Sequence, residues 1–206
     1  MPQWDTGKNI LNMSVKNQVS VFWFRRDLRL DDNTGLYQAL RSGYPVLPVF
    51  IFDTEILDRL EEKADRRVTF IIAALDELSR KLAVTGSGLK IFNCSPQEAF
   101  RRILEEYEVK NLFANIDYEP YATGRDSQVS SFLQSSGVPV RFCKDQVVFD
   151  RDEVIKSDGT PYTVFTPYSR AWKKLLTPKD IQPLASETLA GNFLKYESAG
   201  IPSPGE

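Results

Sequence analysis

The chain has 206 residues, enough for one well-buried domain and a tail but too few for two full domains. Its net charge of −2 excludes a broad electrostatic grip on nucleic acid, so any such contact needs a local patch. The absence of histidine removes Ser-His and Cys-His dyads, imidazole bases and the commonest zinc ligand, and so excludes hydrolysis by a familiar triad.

No apolar run approaches the roughly 20 residues that span a bilayer, and no charged-then-apolar leader precedes a cleavage site. A cytoplasmic address and no membrane contact are the expectation. Cys94 and Cys143 lie far apart, without metal-ligand spacing, and each closes a predicted strand. Both read as small buried residues, and no metal site is expected.

In chain order, residues 1–18 are polar and aperiodic and read as a leader. Val19–Phe24, Val46–Phe52, Leu89–Phe92, Leu112–Asn115 and Val138–Cys143 are short apolar runs bounded by turn residues, the pattern of parallel strands covered on both faces. Helical patterns separate them. Asn33 caps a short helix carrying Leu36, Ala39 and Leu40. Val68, Ile71, Ile72, Leu75, Leu78 and Leu82 recur at helical spacing until Gly86 and Gly88. Ser95-Pro96 supplies a cap and first helical residue ahead of Phe100, Ile103 and Leu104. A further helix runs from about Thr123 to Gln134.

This alternation predicts an α/β fold: a doubly wound five-stranded parallel sheet, order 3-2-1-4-5, with helices on both faces, over residues 19–150. Ligands of such sheets collect where the strand order reverses, here between the first and fourth strands. The residues just after Phe24 and just after Ala114 line that crevice, and they are the most charge-dense strand ends in the chain. Beyond them, residues 151–176 form an aromatic extension whose Thr163–Tyr168 stretch, with Arg170 and Trp172, reads as interface or core more than as a base-stacking surface. Residues 177–206, rich in Pro, Ser, Gly and Ala, read as the start of a linker.

Arg25-Arg26-Asp27-Leu28-Arg29 offers three guanidiniums and one carboxylate. Asp27 and Arg29, with Asn33, fit a network that locks the strand-to-helix turn. Arg25 or Arg26 fits recognition of a planar or anionic ligand. No Gly-rich phosphate loop follows the first strand, which speaks against a dinucleotide or P-loop site. Asp117 and Glu119, interleaved with tyrosines, leave two readings open: capping with a salt bridge to Arg125 or Arg67, or a carboxylate accepting from a heteroaromatic ring. Arg67 opens a helix, where a cation opposes the macrodipole and calls for another explanation.

Four of these stretches together resemble the amino-terminal α/β domain of the photolyase/cryptochrome family. They are Trp23–Arg29 with Asp32-Asn33, Val46–Asp53, Asn115–Tyr121 with Arg125-Asp126, and Gly159–Tyr168 with Trp172. The resemblance implies light-driven, FAD-dependent splitting of pyrimidine dimers in damaged DNA, or, in the cryptochrome branch, blue-light signalling. It places FAD and DNA contact in a helical domain expected to follow this one and absent from these 206 residues, so no catalytic residue is expected here and the chain alone is expected to be inactive. It gives the α/β domain an antenna pigment. Folate-type members carry Asn-Glu where this chain has Tyr121-Ala122, so a deazaflavin or FMN is expected over folate. The matching positions imply a pigment mouth formed by Phe24, Arg25, Phe52, Arg67 and Asp117. A stand-alone nucleotide-binding module on a similar sheet is the remaining alternative.

Overall fold

A computed structural model describes residues 16–60, 65–198 and 200. The expected leader lies largely outside these residues, as do residues 201–206 of the expected linker. The sheet has five strands in the order β3-β2-β1-β4-β5, all pairs parallel. They are β1 (Gln18–Phe24), β2 (Val46–Phe52), β3 (Lys90–Asn93), β4 (Glu108–Asn115) and β5 (Val140–Cys143). Helices α1 (Thr34–Leu40), α2 (Thr54–Leu57), α3 (Arg66–Val84), α4 (Pro96–Glu106), α5 (Pro120–Ser135) and α6 (Phe165–Leu175) follow the chain. The expected topology is present. The sequence pattern missed α2, because a single turn leaves no periodicity to read.

Alternation along β1 divides the core in two. Val19, Val21 and Trp23 face α4 and α5, where Phe100, Ile103, Val129 and Leu133 meet them. Phe22 and Phe24 face α1 and α3, against Leu36, Leu75, Leu78 and Leu82. Each fully buried side chain of this size contributes about 1.5–3 kcal/mol relative to exposure. Both faces of the sheet are therefore closed by apolar packing, and the strand ends are left as the place where charged groups gather.

The caps hold the helices where the sequence places them. Asn33 Oδ1 accepts from Leu36 N at 3.0 Å, and Ser95 Oγ accepts from Glu98 N at 3.4 Å. Helix α3 buries Leu75, Leu78 and Leu82 but leaves Phe70 exposed.

The stretch expected as linker behaves differently over 184–198. Ser186 Oγ donates to Leu30 O at 2.5 Å and accepts from Asn33 N at 3.1 Å. Phe193 is 3% exposed, pairs with Val46 as an isolated parallel bridge, and joins the α1/α3 core. Gly88 is what admits the chain beyond it, since a Cβ there would stand 2.7 Å from Ser198 N. A Ser- and Ala-rich composition conceals one aromatic anchor, and that anchor decides the packing. The aromatic extension is tied down by Trp172 against Phe149, ring centroids 5.4 Å apart, while Phe165 remains 78% exposed.

Candidate functional site

At the reversal of strand order, β1 and β4 end side by side. Asp27 turns the chain after β1: its Oδ1 accepts from Arg25 N at 2.9 Å, and its Oδ2 accepts from Asn115 Nδ2 at 2.5 Å and Asn33 Nδ2 at 3.4 Å. Asn115 closes the network, donating to Asn33 Oδ1 at 2.9 Å and accepting from Gly35 N at 2.8 Å. Asn33 and Asn115 are both buried and have their polar atoms partnered, as burial requires. These three side chains fix both strand ends to the start of α1. Arg29 extends the frame, pairing with the covered carboxylate of Asp145 at 2.9 Å, which also accepts from Thr34 N.

Arg25 turns inward. Its side chain is 7% exposed, its Nη1 lies 2.7 and 2.5 Å from the two oxygens of Asp126, and its guanidinium stands 5.1 Å from the Trp23 ring centre. Arg125 donates to the same carboxylate at 3.0 Å and stands 4.8 Å from Trp23. Arg26 turns outward, with its Nε 3.2 Å from Asp117 Oδ2 and its Nη1 3.8 Å from Glu119. Asp117 Oδ1 accepts from Glu119 N at 3.2 Å. Glu119 precedes α5 without a side-chain capping bond.

Two cavities meet at this point. The smaller, about 140 Å³, is lined by Arg25, Arg26, Asp27, Arg29, Asn115 and Asp117 among others. The larger, about 500 Å³, runs along α5 past Tyr118, Asp126, Phe142 and Arg151. Both include Ile116 and Asp117. The smaller takes a few waters or the edge of a ring, whereas the larger has the size of a small-molecule site.

The five residues of the expected mouth are thus distributed unevenly. Asp117 and Arg25 line the smaller cavity. Phe24 and Phe52 point into the α1/α3 core, because strand alternation sends them there with Phe22 and Phe50. Arg67 lines neither cavity; its side chain is 75% exposed and bonds Asp65 at 2.6 Å. That pairing holds the Asp65 carboxyl down to about 2, chiefly through the Arg67 hydrogen bond. It also explains a cation in the first turn of a helix, since the capping carboxylate neutralises it.

Four side chains with central roles were given none from the sequence: Asp53, Tyr121 and Asp126, quoted only within the family motifs, and Asp145, which was not named. Asp53 and Asp145 directly follow or nearly follow a strand, a signal that could have marked them. Asp126 stands inside a predicted helix, and its only signal was the Arg125-Asp126 pair of the family motif. Tyr121 donates to Asp53 Oδ2 at 2.8 Å, and burial followed by that bond raises its phenol above the usual range.

The family model for DNA photolyase matches residues 20–187. The chain belongs to this family, and it has the fold of the family's N-terminal domain. It is 30% identical over 175 residues to a deoxyribodipyrimidine photo-lyase of Synechococcus, an alignment covering 82% of this chain and 36% of that protein. It resembles the crystal structure of a bacterial class III photolyase from Agrobacterium tumefaciens with a TM-score of 0.72 and 26% identity, covering 85% of this chain and 35% of that one. An archaeal photolyase from Sulfolobus tokodaii, described with two FAD molecules and the implication of a novel light-harvesting cofactor, is similar at a TM-score of 0.67 and 26% identity, covering 87% and 42%. The chain therefore spans roughly two fifths or less of these photolyases. Among the described residues, no helix is long and apolar enough to cross a membrane.

Proposed function

We propose that this chain is the light-harvesting domain of a DNA photolyase and holds a flat antenna pigment, a deazaflavin or FMN rather than folate, at the ends of β1 and β4. Asp117 carries the reading. Its side chain is only 10% exposed, and it stands where the two cavities join. Each carboxylate oxygen has more than one acceptor direction, so the bond from Glu119 N and the ion pair with Arg26 leave capacity for a ring N–H. The second FAD of the Sulfolobus tokodaii photolyase supports a flavin-like pigment over a folate. The pigment would supply absorption of light.

The chain's residues supply position. Asp117 accepts from the ring edge, and Arg26 offers a guanidinium beside it. Arg67, exposed on a long stem and paired only with neighbouring Asp65 among the described residues, swings to the ring's electronegative side. Arg25, fixed by Asp126, stiffens the wall, and Phe24 and Phe52 stiffen the floor from within the core. FAD, the damaged DNA and dimer splitting belong in this reading to a helical domain of the same protein, and the setting is cytoplasmic.

Titration of FMN into wild type, Asp117→Ala and Arg67→Ala, followed by flavin fluorescence, tests the proposal. Wild type is expected to bind and both variants to bind more weakly, Asp117→Ala by about tenfold or more, the worth of a charge-assisted hydrogen bond. Equal binding by wild type and Asp117→Ala, or none by either, removes it.

A further inference from the structure

The end of β1 is crossed by a side chain that reaches from α5 to the end of β2. Tyr121 stands in the first turn of α5, a few residues past the end of β4, and its hydroxyl lies 2.8 Å from Asp53 Oδ2 and 3.4 Å from Glu55 Oε2. Because β2 and β4 flank β1, a bond from the start of α5 to the residue after β2 crosses the end of β1. Asp53 is buried, and its other oxygen accepts from Glu55 N at 3.1 Å to cap α2. Its carboxylate is therefore fixed in place. The guanidiniums of Arg59 and Arg125 stand 5.4 and 5.9 Å from the centre of the Tyr121 ring.

This surrounding has a definite chemical demand. Guanidiniums over a ring attract its π face. Carboxylates at its edge accept from an O–H or N–H. A flat ring bearing one such donor satisfies both at once, and the phenol of Tyr121 is such a ring. We propose that Tyr121 is a built-in plug: it fills a slot suited to a flat, donor-bearing ring, and an incoming ring of that class exchanges with it.

The proposal rests on the antenna reading only for the identity of the natural ligand. Its consequence is an affinity set partly by the plug. Apparent affinity falls in proportion to the fraction of molecules whose slot is open, so a plug in place about nine times in ten weakens binding about tenfold. It also selects: a ring without an edge donor leaves the buried Asp53 carboxylate short of a partner and does not repay the exchange.

Riboflavin and phenol serve as probes on the whole 206-residue chain. Tyr121→Ala is expected to bind riboflavin about tenfold more tightly than wild type, and Tyr121→Phe, which keeps the ring but loses its bond, to fall between. Adding Asp53→Asn to Tyr121→Ala reverses the gain. Millimolar phenol raises the melting temperature of Tyr121→Ala and leaves wild type unchanged. Tyr121→Ser provides the same comparison should circular dichroism show the alanine variant unfolded. Phenol stabilisation of the alanine variant, with no form binding flavin, supports the plug and removes the antenna reading. Riboflavin bound alike by wild type and Tyr121→Ala overturns the plug and leaves the antenna reading standing. A variant that gains neither flavin affinity nor phenol stabilisation also overturns the plug.

Discussion

Arg25 and Asp126 are 101 residues apart in the chain and meet at 2.5 Å, beside the indole of Trp23. Arg125 reaches the same carboxylate and the same indole, so one buried acid serves two guanidiniums. Asp126 thereby ties the end of β1 to the middle of α5, beneath the larger cavity.

Removing that acid strands two covered cations. Asp126→Ala is expected to lose about 3–5 kcal/mol of folding stability, the usual cost of breaking a buried pair by deleting one partner. Equilibrium urea unfolding reads it directly; a loss below about 1 kcal/mol would show that water reaches the guanidiniums.

Gly35 in α1 presents a case where the ordinary rule reverses. Replacing a helical glycine by alanine normally gains about 1 kcal/mol. Here a Cβ would sit 2.6 Å from Asn115 Oδ1 and 2.9 Å from Phe22 Cε2. Neither neighbour can withdraw, because Asn115 is held by Asp27 and Asn33 and Phe22 is in the core. Gly35→Ala should therefore lower the melting temperature. A rise would mean that the polar frame at the strand ends is looser than its hydrogen bonds imply.

Phe193 tests the tail. Truncating a buried phenylalanine costs about 3–5 kcal/mol, whereas the same change in a solvated linker costs almost nothing. Phe193→Ala should destabilise strongly, and limited proteolysis of wild type should spare residues 186–194. Early cleavage there would return the segment to linker status.

Acid stability offers a separate check. Glu98, in the first turn of α4, accepts from Arg101 and Arg102, whose hydrogen bonds hold its carboxyl down to about 2 from an ordinary 4.5. A carboxyl depressed in the folded state stabilises fully above its unfolded value, and that contribution drains away as pH falls from about 4.5 to about 2. Glu98→Gln should flatten the stability profile within that window and leave the profile above it parallel to wild type. Since the group is solvent-exposed, the effect is small, and urea midpoints at closely spaced pH values are the measurement to use.

The strands, most helices and the order of the sheet were legible because their signals are local and periodic: apolar runs, caps at Asn33 and Ser95, and breaks at Gly86 and Gly88. Residues near the crevice were legible as candidates for the same reason, since charge at a strand end can be read without coordinates. Their partners were not. Arg67 pairs with Asp65, and Asp117 pairs with Arg26 rather than with Arg67 or Arg125. A guanidinium on a flexible stem takes the nearest carboxylate, and nearness across the chain is set by how α3 and α5 leave the sheet.

By itself, then, the sequence determined which residues form strands, where order reverses, and which chemistry collects at that reversal. Periodicity and composition suffice for these, because hydrophobic burial dictates them residue by residue. Tertiary structure alone decided that Tyr121 spans to Asp53, that Asp126 reaches Arg25, and that Phe193 belongs to the core. Each of these depends on distances between segments 50 or more residues apart, and no local pattern in the chain encodes a distance of that kind.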